Sequence, residues 1–283
     1  MTEQHRYLFK FYYIGKKRFY GSQRQKDLPT IEGYIIEKLL KKKYIKNIEN
    51  SGIEFASRTD KFVSALGATF SFLTNKKPIL IEINTELPKE IGLWAFTRVP
   101  NDFSSRYHAL LRHYKYIVPE ILSHLQKHFK IDLNIMNKAC HELEGEHDFV
   151  NFCKREKESI RTVRSMDCVK MSIINDFLIF DFKSKAYLRQ QIRRMVKKIL
   201  ELGKGEIEYT DFLSLFDSSK LVSYQPADPK GLILWNIEYG KNISYEIDLK
   251  SKKRMENYFF SQKNKFRFKN QLFSIMQQNN SSQ

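Results

Sequence analysis

Phe55-Ala56-Ser57-Arg58-Thr59-Asp60 ends a short apolar run and sets an arginine and a carboxylate on the turn that follows. Two readings are open on these six residues. Thr59 and Asp60 can simply close a turn, their side-chain oxygens bonding nearby backbone N–H groups, with Arg58 a solvated cation. Alternatively, the turn presents a reactive carboxylate beside a positive charge. The choice depends on the rest of the chain.

With 283 residues, the chain is long enough for one large domain or two of ordinary size. Its 22 Phe and 15 Tyr indicate a globular body rather than a disordered one. Lys and Arg number 49 against 32 Asp and Glu, a net charge of +17. Such an excess repels itself, which points to a polyanionic partner. Nucleic acid fits better than a membrane, because no apolar run approaches a spanning length. Cys140, Cys153 and Cys168 form neither a disulfide framework nor a zinc pattern and read as reduced thiols. Met1 to Arg6 is polar and lacks the apolar core of a secretion signal, which predicts a cytoplasmic protein.

Outward from the hexapeptide toward the amino terminus, Tyr7 to Tyr13 reads as a strand open to burial on both faces. The loop after it holds Lys16, Lys17, Arg18, Gln23, Arg24 and Gln25 between and beyond Gly15 and Gly21. Such a mixture can track phosphates and contact bases, or it can be an ordinary solvated hairpin. Thr30 caps a helix predicted to reach Lys43, and Gly52 to Ser57 reads as a strand. Strands follow over Ala68–Leu73, Ile91–Thr97 and Leu110–Val118, with a short helix over Pro78–Asn84. Alternation puts Arg112, Tyr114 and Tyr116 on one face, as the lining of a base pocket or as an aromatic cluster with a snorkelling arginine.

Toward the carboxyl terminus, Asn134–Leu143 is a predicted helix, and Gly145 to Phe149 a turn with a hydrogen-bonded His147. Ile160 to Arg164 is a basic link into strands over Val169–Ile174 and Phe177–Phe182. Lys183 to Lys198 carries seven cations and no carboxylate. Leu188, Ile192, Met195, Val196 and Ile199 have helical spacing, which puts Arg189 and Arg193 on one side of a helix, with Arg194 continuing around it. Gly231 to Tyr239 is the last clear strand. The basic tail 241–283 places Met255, Tyr258 and Phe259 on one helical side and ends in a disordered 277–283. No Walker or Rossmann glycine pattern occurs, so no nucleotide cofactor is implied.

In order and spacing, these pieces resemble the TruA-type tRNA pseudouridine synthases over Tyr7 to Tyr239. The resemblance rests on Tyr13 to Gly21 with Gln23 and Gln25; Arg58-Thr59-Asp60 with Val63, Ser64 and Ala65; and Phe103, Ser104, Arg112, Tyr114 and Tyr116. It continues through Gly145, His147, Asp148 and Phe149, Leu188 to Val196, and Gly231-Leu232. The Ser64-Ala65 pair is closer to archaeal and eukaryotic members. The family usually has glycine where this chain has Phe62 and Lys197, so a bulky side chain stands beside the turn and bears on the pocket's shape.

The resemblance implies an α+β fold of two halves, 1–105 and 106–240, whose largely antiparallel sheets join across a central RNA-binding cleft, with 241–283 as an extension. It implies a homodimer that turns uridine into pseudouridine in the tRNA anticodon stem-loop (positions 38–40) without metal or cofactor. Asp60 would be the nucleophile. Tyr114 would stack on the flipped uracil and assist removal of the C5 proton, and Arg193 would pair with Asp60 to keep it ionised. Arg58 would hold the target phosphate or the flipped conformation. Lys16, Lys17, Arg18, Gln23, Arg24, Arg112, Arg189 and Arg194 would contact RNA. Two alternatives are a synthase acting at another tRNA position and a non-catalytic RNA-binding protein of the same fold, which would need the basic surface without Asp60. A metal-dependent nuclease would need clustered carboxylates.

Overall fold

The computed structural model describes residues 3–155 and 161–279. Ile160, where the expected basic link begins, and residues 280–283 of the expected disordered end lie outside them.

The first aromatic run becomes strand β1 (His5–Tyr13), buried on both faces. Phe9, Phe11 and Tyr13 enter the main core, while Leu8 and Tyr12 pack behind it. Helix α1 (Ile31–Lys41) starts where Thr30 Oγ1 accepts from Gly33 N at 3.2 Å, and Ile31, Ile35 and Leu39 are buried. The expected strand 52–57 pairs only over β2 (Glu54–Phe55). Other carbonyls of the segment serve side chains, Ala56 O accepting from Arg112 and Gly52 O from Arg6.

The chain continues through β3 (Ser64–Thr74), α2 (Leu80–Thr85), β4 (Ile91–Val99), β5 (Leu111–Ile121), α3 (Leu122–His128) and α4 (Leu133–Glu142). Residues 145–149 are not a turn. Gly145–Asp148 forms β6, held in extended conformation by a ladder to β7 (Val163–Met166) that pairs His147 with Arg164. His147 is hydrogen-bonded as expected, its Nε2 lying 2.7 Å from Glu144 O. Then come β8 (Cys168–Ile174), β9 (Phe177–Ser184), α5 (Gln191–Gly203), α6 (Tyr209–Ser214), β10 (Leu232–Glu238), β11 (Glu246–Ile247) and α7 (Leu249–Asn279).

Nine strands form one sheet in the order β11-β4-β1-β3-β10-β5-β9-β8, with β2 beside β3. Every pairing is antiparallel except β3–β10, which runs parallel with Ser64 opposite Ile233 and Ala65 opposite Leu234. The mixed α+β class is as expected. The two halves share a continuous sheet, and a strand from the far end of the chain joins them. Phe9, Phe70 and Phe72 stack on each other with centroids 5.0–5.9 Å apart. Burying each such side chain contributes about 2 to 3 kcal/mol.

Helix α5 begins at Gln191, later than its apolar spacing suggests, because Gln190 adopts a left-handed φ of 61°. Arg189 therefore lies in the preceding loop and not on the helix. Three of the seven cations between Lys183 and Lys198 meet carboxylates among the described residues: Lys197 and Lys198 lie 3.1 and 2.7 Å from Glu201, and Arg193 meets Asp60. The first turns of α7 are docked, Met255 and Tyr258 packing on Tyr12 while Arg254 donates to Leu87 O and Ile91 O. Residues 277–279, expected to be disordered, continue that helix.

Candidate active site

Asp60 is placed by a loop whose backbone is held at three points. Ser22 N donates to Thr59 O at 3.1 Å, and Thr59 N donates back to Ser22 Oγ at 2.8 Å. The Thr59 hydroxyl lies 2.7 Å from the Tyr13 hydroxyl. Gly21 permits the approach, because a Cβ there would lie 3.1 Å from Thr59 O on a backbone at φ +89°. Asp60 O accepts from Val63 N at 3.2 Å, closing a four-residue turn whose third member, Phe62, has φ 72°. A bulky side chain in that conformation costs about 1 to 2 kcal/mol.

Arg193 arrives from the first turn of α5. Its Nη1 donates to Asp60 Oδ2 at 2.7 Å and its Nε to Ala227 O at 2.8 Å. The Arg193 side chain is 9% exposed and that of Asp60 33%, so the cation is fixed in the wall and the carboxylate reaches the cleft. Left-handed residues stand on both sides of this pair, Phe62 two residues after Asp60 and Gln190 three before Arg193.

Tyr114 lies on β5 within the same cleft, its ring edge-on to Tyr187 at 5.1 Å. Burial pushes its hydroxyl up to about 12, against the lowering effects of Arg112 and a hydrogen bond with Ser57. Tyr114 therefore keeps its proton near neutrality. Tyr116, on the same strand face, instead donates to Asp228 O at 2.9 Å.

The cleft encloses about 1560 Å³ and is lined by ten Arg or Lys residues against five Asp or Glu. Of the expected RNA contacts, Gln23, Arg24, Arg58, Arg112 and Arg189 line it. Arg112 is buried and committed within the protein, donating to Ser57 Oγ, Ala56 O, Arg106 O and Lys185 O. Lys16, Lys17 and Arg18 lie outside the lining, and Lys16 and Arg18 both pair with Glu90. Arg194 is buried outside it as well, its guanidinium 5.1 Å from the Tyr224 ring, which leaves little surface for a phosphate.

Sequence reasoning left out three lining groups. Tyr107 is 72% exposed, with the Arg106 guanidinium 5.4 Å from its ring. The Arg106-Tyr107 dipeptide was a visible signal, a cation beside an aromatic in a polar loop. Arg161, just before β7, and Arg164, within it, were legible only as part of a basic link. Glu32, on the first turn of α1, is a buried carboxylate in the cleft wall that accepts from Arg24 N at 3.0 Å. Burial pushes it up to about 7, despite the lowering effects of Arg24 N and of the charges of Arg58 and Arg24.

Among the described residues, no three His, Cys, Asp or Glu side chains gather as a metal site requires. No described helix is long and apolar enough to cross a membrane. The three cysteines are free thiols.

A family model described as "tRNA pseudouridine synthase" matches residues 139–240. Over 239 residues the chain is 34% identical to a protein of Methanothermobacter thermautotrophicus named tRNA pseudouridine synthase A, covering 84% of this chain and 83% of that one. The protein of the same name from Archaeoglobus fulgidus is 34% identical over 244 residues, 86% of each chain. That of Methanosphaera stadtmanae is 32% identical over 256 residues, 89% of this chain and 90% of its own.

Proposed function

The chain belongs to the tRNA pseudouridine synthase family, and from that premise we propose that it isomerises uridine to pseudouridine in the tRNA anticodon stem-loop, with Asp60 as the acting carboxylate. The observation that carries this reading is the 2.7 Å pair between Asp60 and Arg193 beside Tyr114 in a basic cleft.

The chemistry needs few parts. The bond from uracil N1 to ribose C1′ breaks, the base turns, and C5 bonds to C1′. N1 gains a proton and C5 loses one, so nothing is oxidised or reduced. A uridine stacked in RNA is out of reach, so the target must turn out into the cleft. Asp60 attacks C6 or C1′, or removes a ribose proton; the pair with Arg193 engages only Oδ2 and leaves Oδ1 for that step. Tyr114 stacks on the uracil. Because its hydroxyl stays protonated, a departing C5 proton needs another acceptor.

Arg58, Gln23, Arg24 and Arg189 hold the RNA from the cleft walls, and Lys16, Lys17 and Arg18 reach its backbone farther out. Arg112 braces the floor by tying together the segments at 56–57, 106 and 185.

The test is Asp60→Asn, with pseudouridine mapped in tRNA treated with each protein. An amide keeps the size of the side chain, so stability should change by no more than about 1 to 2 kcal/mol. Turnover should fall by at least about a hundredfold while tRNA affinity changes little. A variant that forms pseudouridine at the wild-type rate would return Arg58-Thr59-Asp60 to the role of a simple turn. The mapped position decides whether the anticodon stem-loop is the target.

A further inference from the structure

Phe62 bears a strained backbone that glycine would relieve, and its surroundings give no folding reason for it. At φ 72° it occupies the left-handed region, where a bulky side chain is an outlier. Packing holds it there: a Cβ on Gly15 would stand only 2.1 Å from Phe62 O, so the two backbones are already in contact. The ring is only half-buried and belongs to no hydrophobic cluster among the described residues. What lies over it is charge. Lys61 Nζ is 5.5 Å and Lys230 Nζ 5.8 Å from its centroid.

Lys61 Nζ also sits 3.7 Å from the ring centroid of Tyr20, which is 42% exposed at the cleft margin. Tyr20, Lys61, Phe62 and Lys230 thus alternate ring and ammonium in a strip beside Asp60, with Tyr20 and Lys61 lining the cleft and Phe62 and Lys230 just outside the lining. Lys230 comes from the segment leading into β10 and Phe62 from the one leading into β3, so the strip straddles the seam between the halves. Rings that receive bases, interleaved with cations that receive phosphates, are what unpaired RNA requires. Strained residues that persist beside a reacting group point to function.

We propose that Phe62 and Tyr20, with the ammonium groups of Lys61 and Lys230, form a subsite for an unpaired nucleotide flanking the target uridine, its base stacked on Phe62. The inference rests on the uridine-isomerising reading of the cleft. The subsite holds the neighbour while the target turns toward Asp60, so its effect falls on binding of the RNA loop.

The experiment uses the full chain and an RNA stem-loop carrying the target uridine, compared with versions made abasic at either neighbouring position. Kd by fluorescence anisotropy and KM and kcat for pseudouridine formation are the readouts. For wild type, one abasic position should raise Kd and KM by about tenfold, the factor expected for losing one base–aromatic stack. Phe62→Gly should raise both by a similar factor on intact RNA and be indifferent to the abasic change. Phe62→Trp should keep the wild-type pattern, and Phe62→Leu should behave like the glycine variant. If Phe62→Gly and wild type lose the same factor at every abasic position, the subsite is refuted. Absence of turnover by wild type, with the Kd pattern intact, would instead strike at the isomerase reading and leave the stacking site standing.

Discussion

Glu32→Gln should make the protein more stable at pH 8 than at pH 5 relative to wild type, which is unusual for a residue in a functional cleft. Glu32 is buried, and its folded value of about 7 lies above the ordinary 4.5. The folded state therefore holds the Glu32 proton more tightly than the unfolded one. The stability this provides is complete below about 4.5 and is lost as pH rises through about 7. At about 1.4 kcal/mol per pH unit, the gap corresponds to about 3 kcal/mol at pH 8 and to under about 1 kcal/mol at pH 5. Glutamine keeps an acceptor for Arg24 N but carries no charge to desolvate. Urea unfolding of both proteins at the two pH values should show the variant's advantage shrinking by about 2 kcal/mol from pH 8 to pH 5. In thermal scans, the difference at pH 8 should be about 5 °C. Every other titrating group is common to the two proteins, so the change in the gap isolates Glu32. A gap that stays constant with pH, or that widens toward pH 5, would refute the account of Glu32 as a carboxyl held protonated by burial.

Arg193→Ala removes the cation paired with Asp60 at 2.7 Å, and should lower kcat more than tRNA affinity while costing about 1 to 3 kcal/mol of stability, read by turnover and urea unfolding. Gly15→Ala puts a methyl 2.1 Å from Phe62 O, so the turn must move; it should destabilise by about 2 kcal/mol or more and abolish turnover even though residue 15 touches no substrate. With Tyr114 pushed up to about 12, the pH–rate profile should show no limb from tyrosine ionisation below about pH 11, and a limb near 10 that disappears in Tyr114→Phe would contradict this. The ten cations lining the cleft should make log Kd for tRNA rise steeply with log salt, and a flat response up to physiological ionic strength would remove the electrostatic account. Light scattering should find a homodimer, and a fully active monomer would dispose of that expectation.

Local signals picked out the Asp60 turn and its ion-pair partner because both were dense in the sequence. Asp60 sits beside Arg58, and Arg193 stands in a run of cations with helical apolar spacing. Errors arose where distant backbone took over. Nothing in Leu188 to Lys198 announces that Gln190 turns left-handed, so Arg189 was assigned to a helix that begins two residues later. That Arg112, which lines the cleft, is committed within the protein could not be read, because its acceptors, the carbonyls at 56, 106 and 185, carry no side-chain signature. Gly145 to Asp148 read as a turn because its ladder is supplied by residues fifteen to twenty-one positions later. The carboxylates that meet the basic run lie outside it, Glu201 just beyond it and Asp60 far earlier in the chain. Nothing in the sequence singles out Glu32, since burial of a carboxylate is a tertiary fact.

The parallel seam between β3 and β10 bears on how the protein is made. Ser64 and Ala65, just past the Asp60 turn, wait for Ile233 and Leu234, which leave the ribosome almost 170 residues later. Until then the facing edges of β3 and β5 are unpaired, and such edges recruit other strands. Arg193 and the Ala227 carbonyl that orients it also arrive late. A nascent chain cut short before residue 232 would hold the Asp60 turn without the strand that fixes it, so the chemistry should appear only after the final strand is inserted. Contacts this distant in sequence fold slowly. The pairing that joins the halves is thus the one that most exposes the unfinished chain to aggregation.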